Sequence, residues 1–368
     1  MLMRIVIRAG GVGTRLWPWS RWDRPKQFLP LFSGLSSVQV AWERFHKAGL
    51  ASPSEIYLSV GKQSLDLALE QIPGLVHEQI IVEPDLRDTA AAIGLETVWV
   101  THRGGECVIA SLGSDHYVGK PAEFIRALAA AEKFIQQQPR YLVAIGCEPT
   151  RVEADYGHIR KGQMLGDSDG MPVHQVAEFT EKPDSRAAQR YTESGEYLWN
   201  GNFFVWASET LMKQFHEFEP EMYDLFMELQ EAVKLPDFRE SVRSIYPRLK
   251  RVAIDYAILE PAARAGRMAV IPVAMEWSDI GSWATLTDAF PADKNGNLFI
   301  APVLAEETAN TTIFVRNPDR KVVATIGLDG LVIVDTKDAL LICPKDQCGK
   351  VKRLVEEMRR SEEWRGLV

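Results

Sequence analysis

Cysteine and histidine are scarce in this chain of 368 residues, which carries four of the first and seven of the second. Cys107, Cys147, Cys343 and Cys348 follow no disulfide-framework spacing, which excludes a cross-linked secreted scaffold and makes a reducing cytoplasm the expected compartment. Cys343 and Cys348 have no second pair and no spaced histidine nearby, so no zinc pattern forms. The histidines are scattered, with neither an HExxH helix nor a triad-like set, and only His116 adjoins a residue singled out below. Long apolar runs are missing as well. None approaches the ~20 residues of a membrane span, and the opening apolar stretch stops at Gly10, too early for a secretory signal. Positive charge is in deficit, with 50 acids against 42 Lys and Arg and a net charge of −8, so no global field draws the chain to nucleic acid or to an anionic membrane. Any anionic partner must be met locally.

What is present is ordinary globular material: 46% hydrophobic and 25% charged residues, in a chain long enough for at least one large core. Short apolar runs at Arg4–Ala9, Glu55–Val60, Gln79–Val82, Cys107–Ser111 and Tyr141–Ile145 read as buried strands. Helical patterns lie between them, at Ser37–Ala48, Lys62–Gln71, Thr89–His102 and Pro121–Gln137. The alternation predicts βαβ units, hence an α/β fold with a mainly parallel mixed sheet and helices on both faces. Ligands of such sheets bind beyond the carboxyl ends of the strands, here the loops after the first and fourth. After Thr150 hairpin-like pieces follow (Gly157–Lys161, Val173–Glu181, Tyr197–Trp206), with helices near Ser208–His216 and Pro220–Ala232. They are expected to form an insertion covering one side of the cleft. From Gly296 to Ile342 short β-branched runs (Thr311–Val315, Lys321–Ile326, Leu331–Val334) predict a small β-helix-like domain, without a regular hexapeptide repeat, closed by a helix at Lys350–Arg360.

The densest signal is Gly10-Gly11-Val12-Gly13-Thr14-Arg15-Leu16-Trp17-Pro18, followed by Pro25-Lys26-Gln27-Phe28. Glycines directly after a strand let backbone N–H groups approach an anion, and Arg15 and Lys26 add side-chain charge. The first 30 residues hold six cations (Arg4, Arg8, Arg15, Arg21, Arg24, Lys26) and one acid, Asp23, within an acidic protein. The Walker pattern fails because Thr14-Arg15 follows the third glycine, and the dinucleotide fingerprint fails because Leu16 stands in place of its last glycine.

These segments resemble the signature of sugar-phosphate nucleotidyltransferases, and within them the mannose-1-phosphate guanylyltransferases. Further blocks fit in family order: Glu83-Pro84 with Arg87-Asp88-Thr89-Ala90, Ser114-Asp115-His116, Phe179-Thr180-Glu181-Lys182-Pro183, Trp199-Asn200-Gly201, Asp255 to Glu260, and Trp277 to Trp283. The resemblance implies a Rossmann-like nucleotidyltransferase domain at 1–290 and a small β domain with a terminal helix at 291–368. It departs from the usual pattern at Arg8, where an apolar residue is common, at Asp88 for asparagine, at Ala91 for proline, and at Gly201-Asn202-Phe203-Phe204 for Ser-Gly-Met-Phe. A guanidinium on a central strand requires a partner.

The implied reaction is attack of a sugar 1-phosphate oxygen on the α-phosphorus of a nucleoside triphosphate, with pyrophosphate leaving. The nucleophile is already an anion, so the protein's task is positioning and charge neutralisation. By resemblance, Arg15 and Lys26 serve the leaving pyrophosphate, and Asp115 and Asp279 hold Mg²⁺, a hard ion satisfied by one or two carboxylates plus phosphates and water. Gly10, Gly11, Gly13, Thr14, Glu83 and Arg87 fall to the nucleotide, with Glu83 facing guanine. Lys182 falls to the sugar phosphate, and Gly157, Glu181 and Asn200 to the sugar. GTP and mannose 1-phosphate are the implied substrates, and a homodimer the default assembly. Alternatives are another sugar 1-phosphate or another nucleotide, and a silent sugar-nucleotide-binding regulatory subunit. As the sequence closes soon after the terminal helix, no isomerase activity is expected.

Overall fold

The structure is a computed structural model that describes residues 3–11, 13–30, 34–234, 238–288, 290–316 and 321–368; Val12 of the glycine-rich loop lies outside the described residues. The strands in chain order are β1 (Met3–Arg8), β2 (Ile56–Gly61), β3 (Ile80–Glu83), β4 (Val108–Gly113), the two-residue β5 (Tyr117–Val118), β6 (Leu142–Cys147), β7 (His158–Ser168), β8 (Met171–Thr180), β9 (Tyr197–Ala207) and β10 (Met268–Val273). After the two-residue β11 (Trp277–Ser278) come β12 (Leu298–Ile300), β13 (Val303–Glu306), β14 (Thr312–Val315), β15 (Val323–Ile326), β16 (Leu331–Asp335) and β17 (Leu340–Pro344). The α-helices are α1 (Ser37–Ala48), α2 (Leu65–Gln71), α3 (Asp88–Gly104), α4 (Pro121–Gln137), α5 (Ser185–Ser194), α6 (Ser208–Phe218), α7 (Pro220–Ala232), α8 (Phe238–Ile245), α9 (Glu260–Arg264) and α10 (Val351–Arg360). Packing divides the chain discontinuously. One unit holds the residues through Gly10, Val38–Ser114 and Val118–Trp277; the other holds Gly11–Ser37, Asp115–Tyr117 and Ser278–Val368.

In the first unit nine strands form one sheet in the order β3-β2-β1-β4-β9-β6-β10-β8-β7. β1 pairs in parallel with β2 and β4, β2 with β3, and β6 with β10, as alternating strands and helices dictate. β9 corrects the expected covering insertion: it runs antiparallel between β4 and β6, in the middle of the sheet. The reason is its composition, since Phe203 to Trp206 are all fully buried and a strand buried on both faces belongs at a sheet's centre. Successive residues face opposite sides. Phe203 meets Phe124 of α4 at 4.5 Å between ring centroids, and Phe124 meets Phe45 of α1 at 6.1 Å. Phe204 and Trp206 stack 5.6 Å apart on the other face, in the core that α3, α6 and α7 complete. Burying each such ring contributes roughly 1.5–3 kcal/mol.

In the second unit β12, β14 and β16 pair in parallel, β17 closes that sheet antiparallel, and β13 pairs in parallel with β15. Val303 opposes Val323, Ala309 opposes Asp329 and Thr312 opposes Val332, so each coil of the chain advances 20 residues. That spacing explains why no six-residue period is legible. Inside the coils the hydroxyls of Thr308 and Thr325 bond to each other at 3.0 Å. The core of this unit includes residues from the other end of the sequence. Leu16, Trp17 and Trp19 pack with Trp283, Phe314, Val332, Val351 and Val355, the Trp19 and Phe314 centroids being 4.1 Å apart. Trp283 Nε1 donates to the Trp17 carbonyl at 2.9 Å, and Trp17 Nε1 to that of Leu367 at 2.8 Å. All four cysteines are free, and the Cys343 and Cys348 sulfurs lie 3.7 Å apart.

Candidate active site

The second unit holds the charged end of the glycine-rich loop. Gly13 has φ +68°, the left-handed region, and caps a single turn at Thr14–Leu16. A Cβ there would stand 2.6 Å from Lys26 Cγ, so only glycine lets the lysine stem lie across the loop. Ser20 Oγ donates to the Gly13 carbonyl at 2.6 Å and fixes the turn. Gly11 is also left-handed, at φ +87°.

Lys26 Nζ bonds Asp115 Oδ2 at 2.7 Å. Burial would lower this ammonium, but Asp115 and Asp279 more than offset it and hold it above its ordinary range. Burial would likewise raise Asp115, yet Lys26 and then His116, 3.5 Å away, bring its carboxyl down to about 2. Asp115 therefore remains ionised. The same lysine feels the opposing charge of Arg15, which makes no ion pair among the described residues. Asp279 Oδ1 accepts from Gly281 N at 2.6 Å, the turn contact expected of an Asp before Gly, while its charge also bears on Lys26. Between them Ile280 adopts φ +41°, an outlier for a β-branched residue, held by burial beside Trp283 and Leu286. The fold maintains local strain to present Asp279.

The six N-terminal cations thus divide by task. Arg4 donates to the carbonyls of Val100 and Gly104 at 2.8 Å, where the C-terminal end of α3 favours positive charge, and Arg21 pairs with Asp338 at 2.8 Å. Arg15 and Lys26 are the two that stand at Gly13. Asp115, two residues beyond β4, reaches Lys26 as expected for a residue at the carboxyl end of a strand.

The first unit carries two further groups. Gly10 lies against Glu83, whose Oε1 would be 3.2 Å from a Cβ at that position. Glu83 is buried, and burial pushes its carboxyl up to about 7 although Tyr246 donates to Oε2 at 2.7 Å. Arg87 Nε bonds Asp85 Oδ2 at 2.9 Å, so its charge is neutralised locally. The second group gathers Gly157, Glu181, Lys182 and Asn200. A Cβ at Gly157 would sit 2.5 Å from Glu181 Oε2 and 3.0 Å from Asn200 Cβ, and Asn200 N donates to the Gly157 carbonyl at 2.8 Å. Lys182, in the left-handed region at φ +47°, forms a short ion pair with Glu181. Burial lowers its ammonium, but Glu181 and Asp255 raise it past the ordinary value.

The sequence profile of the nucleotidyl transferase family matches residues 4–296. The chain belongs to that family. A second profile, described as the MannoseP isomerase/GMP-like beta-helix domain, matches residues 307–358 of this nucleotidyl transferase. Over 363 residues it is 35% identical to a mannose-1-phosphate guanylyltransferase of Klebsiella pneumoniae, covering 97% of this chain and 74% of the relative. It is 33% identical to the xanthan biosynthesis protein XanB of Xanthomonas campestris pv. campestris (strain B100), over 96% and 73% of the two chains. Among solved structures it superposes with a TM-score of 0.83 on one described as a mannose-1-phosphate geranyltransferase from Thermus thermophilus, 32% identical, covering 98% of this chain and all of the other.

Residues without an assigned role in the sequence reading complete the nucleotidyl transferase's site. Asp255, in the block Asp255 to Glu260, accepts from Asn200 Nδ2 at 2.9 Å, and burial raises its carboxyl to about 7. Its block was recognisable; its partner was not. Tyr246, Glu96 and Ser111 carry no local signal, because their role depends on contacts made far along the chain. A divalent metal suits the second unit: Asp115 and Asp279 supply oxygen donors alone, and the cation now facing them is the Lys26 ammonium. No helix among the described residues is long and apolar enough to cross a membrane.

Proposed function

We propose that this nucleotidyl transferase moves a guanylyl group from GTP to mannose 1-phosphate, giving GDP-mannose and pyrophosphate. The observation that carries the reading is Lys26, placed against Gly13, next to Arg15, and bearing the charge of both Asp115 and Asp279. The guanylyl and mannosyl choices draw on the relatives' names, and Glu83, an acceptor able to meet the N1–H and N2–H₂ of guanine, is their counterpart in this chain.

Arg15 and Lys26 bind the β- and γ-phosphates and neutralise the charge that grows on departing pyrophosphate. Lys182 screens the sugar phosphate so that two anions can approach, while Glu181 and Asn200 hold sugar hydroxyls and Gly157 leaves room for the ring. The sugar phosphate oxygen forms its bond to the α-phosphorus as the bond to the bridging oxygen breaks; no proton need be removed. Asp115 and Asp279 would hold Mg²⁺, whose chemistry is neutralisation of α-phosphoryl charge.

The test is pyrophosphate release with Mg²⁺, across GTP, ATP, UTP and dTTP and a panel of sugar 1-phosphates. Highest kcat/KM with GTP and mannose 1-phosphate is expected, with Asp115→Asn and Asp279→Asn each losing at least about 100-fold in turnover. A preference for another base or sugar would reassign the substrates, and no release with any pair would mark a non-catalytic binder.

A further inference from the structure

Arg8 lies on the central strand β1, only 8% exposed, which requires its guanidinium to be matched. One nitrogen, Nη1, donates to Ser111 Oγ, and that hydroxyl donates to Glu96 Oε2 at 2.8 Å. The other, Nη2, donates to both oxygens of one residue, the Asn202 carbonyl at 2.7 Å and Asn202 Oδ1 at 2.6 Å. Asn202 is held at φ +56°, a conformation that asparagine tolerates and most residues do not. In that pose its backbone N–H donates to Asn200 Oδ1 at 3.1 Å.

A backbone N–H can only donate, so the Asn200 atom facing it must be the amide oxygen. The NH₂ end is then turned to Asp255, which accepts from it at 2.9 Å. Among the described residues this leaves Asn200 with one amide hydrogen and no freedom to flip. We propose that Arg8 and Asn202 are a positioning pair that locks the Asn200 amide, so that the sugar hydroxyl met there is recognised as an acceptor of that remaining N–H. The proposal rests on the assignment of Asn200 to the sugar made above. It gives the buried Arg8 a part in sugar selection rather than in folding alone.

The experiment compares wild type, Arg8→Met, Asn202→Gly and the double variant by steady-state pyrophosphate release. Glycine keeps the backbone pose at 202, so that variant folds even if Arg8→Met does not. Each single variant is expected to raise KM for mannose 1-phosphate about tenfold, as loss of one hydrogen bond implies, with KM for GTP within about twofold. The double variant is expected to be no worse than the worse single one, since both remove the same contact. Monodeoxy mannose 1-phosphates supply the second readout. Wild type should lose about tenfold in kcat/KM when one particular hydroxyl is replaced by hydrogen, and the variants should have lost that sensitivity. Equal rises in both KM values, additive effects, or variants that keep the wild-type deoxy profile would overturn the positioning role while leaving the transferase reading intact. Wild type inactive with every sugar phosphate would overturn both.

Discussion

Replacing Lys26 by methionine isolates the electrostatics of the second unit. Asp115 is held at about 2 against an ordinary 3.8, a difference worth on the order of 2 kcal/mol at 1.4 kcal/mol per unit. The sign follows from the depression: this stability is present above about pH 4 and is lost as pH falls toward 2. Without the ammonium, burial dominates and the Asp115 carboxyl rises above its ordinary value. A raised acid contributes stability at low pH that disappears as pH climbs through the new value, so the deficit of Lys26→Met should widen from mildly acidic to neutral solution. Breaking one side of a buried pair costs about 3–5 kcal/mol, reduced here because Asp115 can protonate, which leaves roughly 2–4 kcal/mol at neutral pH. In thermal denaturation that is a fall of roughly 5–10 °C in the midpoint of the affected unit. Asp115→Asn placed on Lys26→Met should recover part of it, because no uncompensated charge is left. Millimolar Mg²⁺ should stabilise Lys26→Met more than wild type, the two aspartates having lost their resident cation. If Lys26→Met is as stable as wild type at neutral pH, or the double variant is worse than the single, the assignment of Lys26 as the charge that balances these acids is refuted.

Three further outcomes are expected. Gly13→Ala forces a Cβ to within 2.6 Å of Lys26 Cγ at a positive φ, so it should lower kcat by roughly 100-fold through displacement of Lys26, read by pyrophosphate release. Gly157→Ala places a methyl 2.5 Å from Glu181 Oε2 and should raise KM for mannose 1-phosphate at least about tenfold, with KM for GTP nearly unchanged. Glu83, Glu96 and Asp255 are each raised to about 7 by burial, so the stability they lend is complete below about pH 4.5 and is lost as pH rises toward 7. Glu96→Gln should flatten that decline in denaturation midpoints measured across the range; an unchanged slope would remove Glu96 from it.

The parallel strands and their helices were legible because alternating apolar runs and caps are local properties, and β1, β2, β3 and β4 lie where the pattern put them. β9 was legible as a strand but not in its place, since nothing in Tyr197–Ala207 states which neighbours it pairs with. The convergence of Lys26, Asp115 and Asp279 was reached only by resemblance to a family; composition alone left each aspartate as a plausible cap or turn, and Asp279 does make its turn contact. Arg8 shows the limit most clearly. Its need for a partner follows from its position on a buried strand, but Asn202 lies 194 residues away and Ser111 lies 103 away. Such pairings are settled by the assembled sheet.

The apolar nest around Trp17 bears on how the protein is made. Leu16 and Trp17 leave the ribosome among the first residues, while Trp283, which binds the Trp17 carbonyl, follows 266 positions later, and Val351 and Val355 later still. A nascent or truncated polypeptide lacking those residues has nothing to hold the turn at Gly13 in shape. Assembly of the phosphate-handling loop thus waits on translation of the distal coils and α10, and premature fragments are left unable to consume nucleotide.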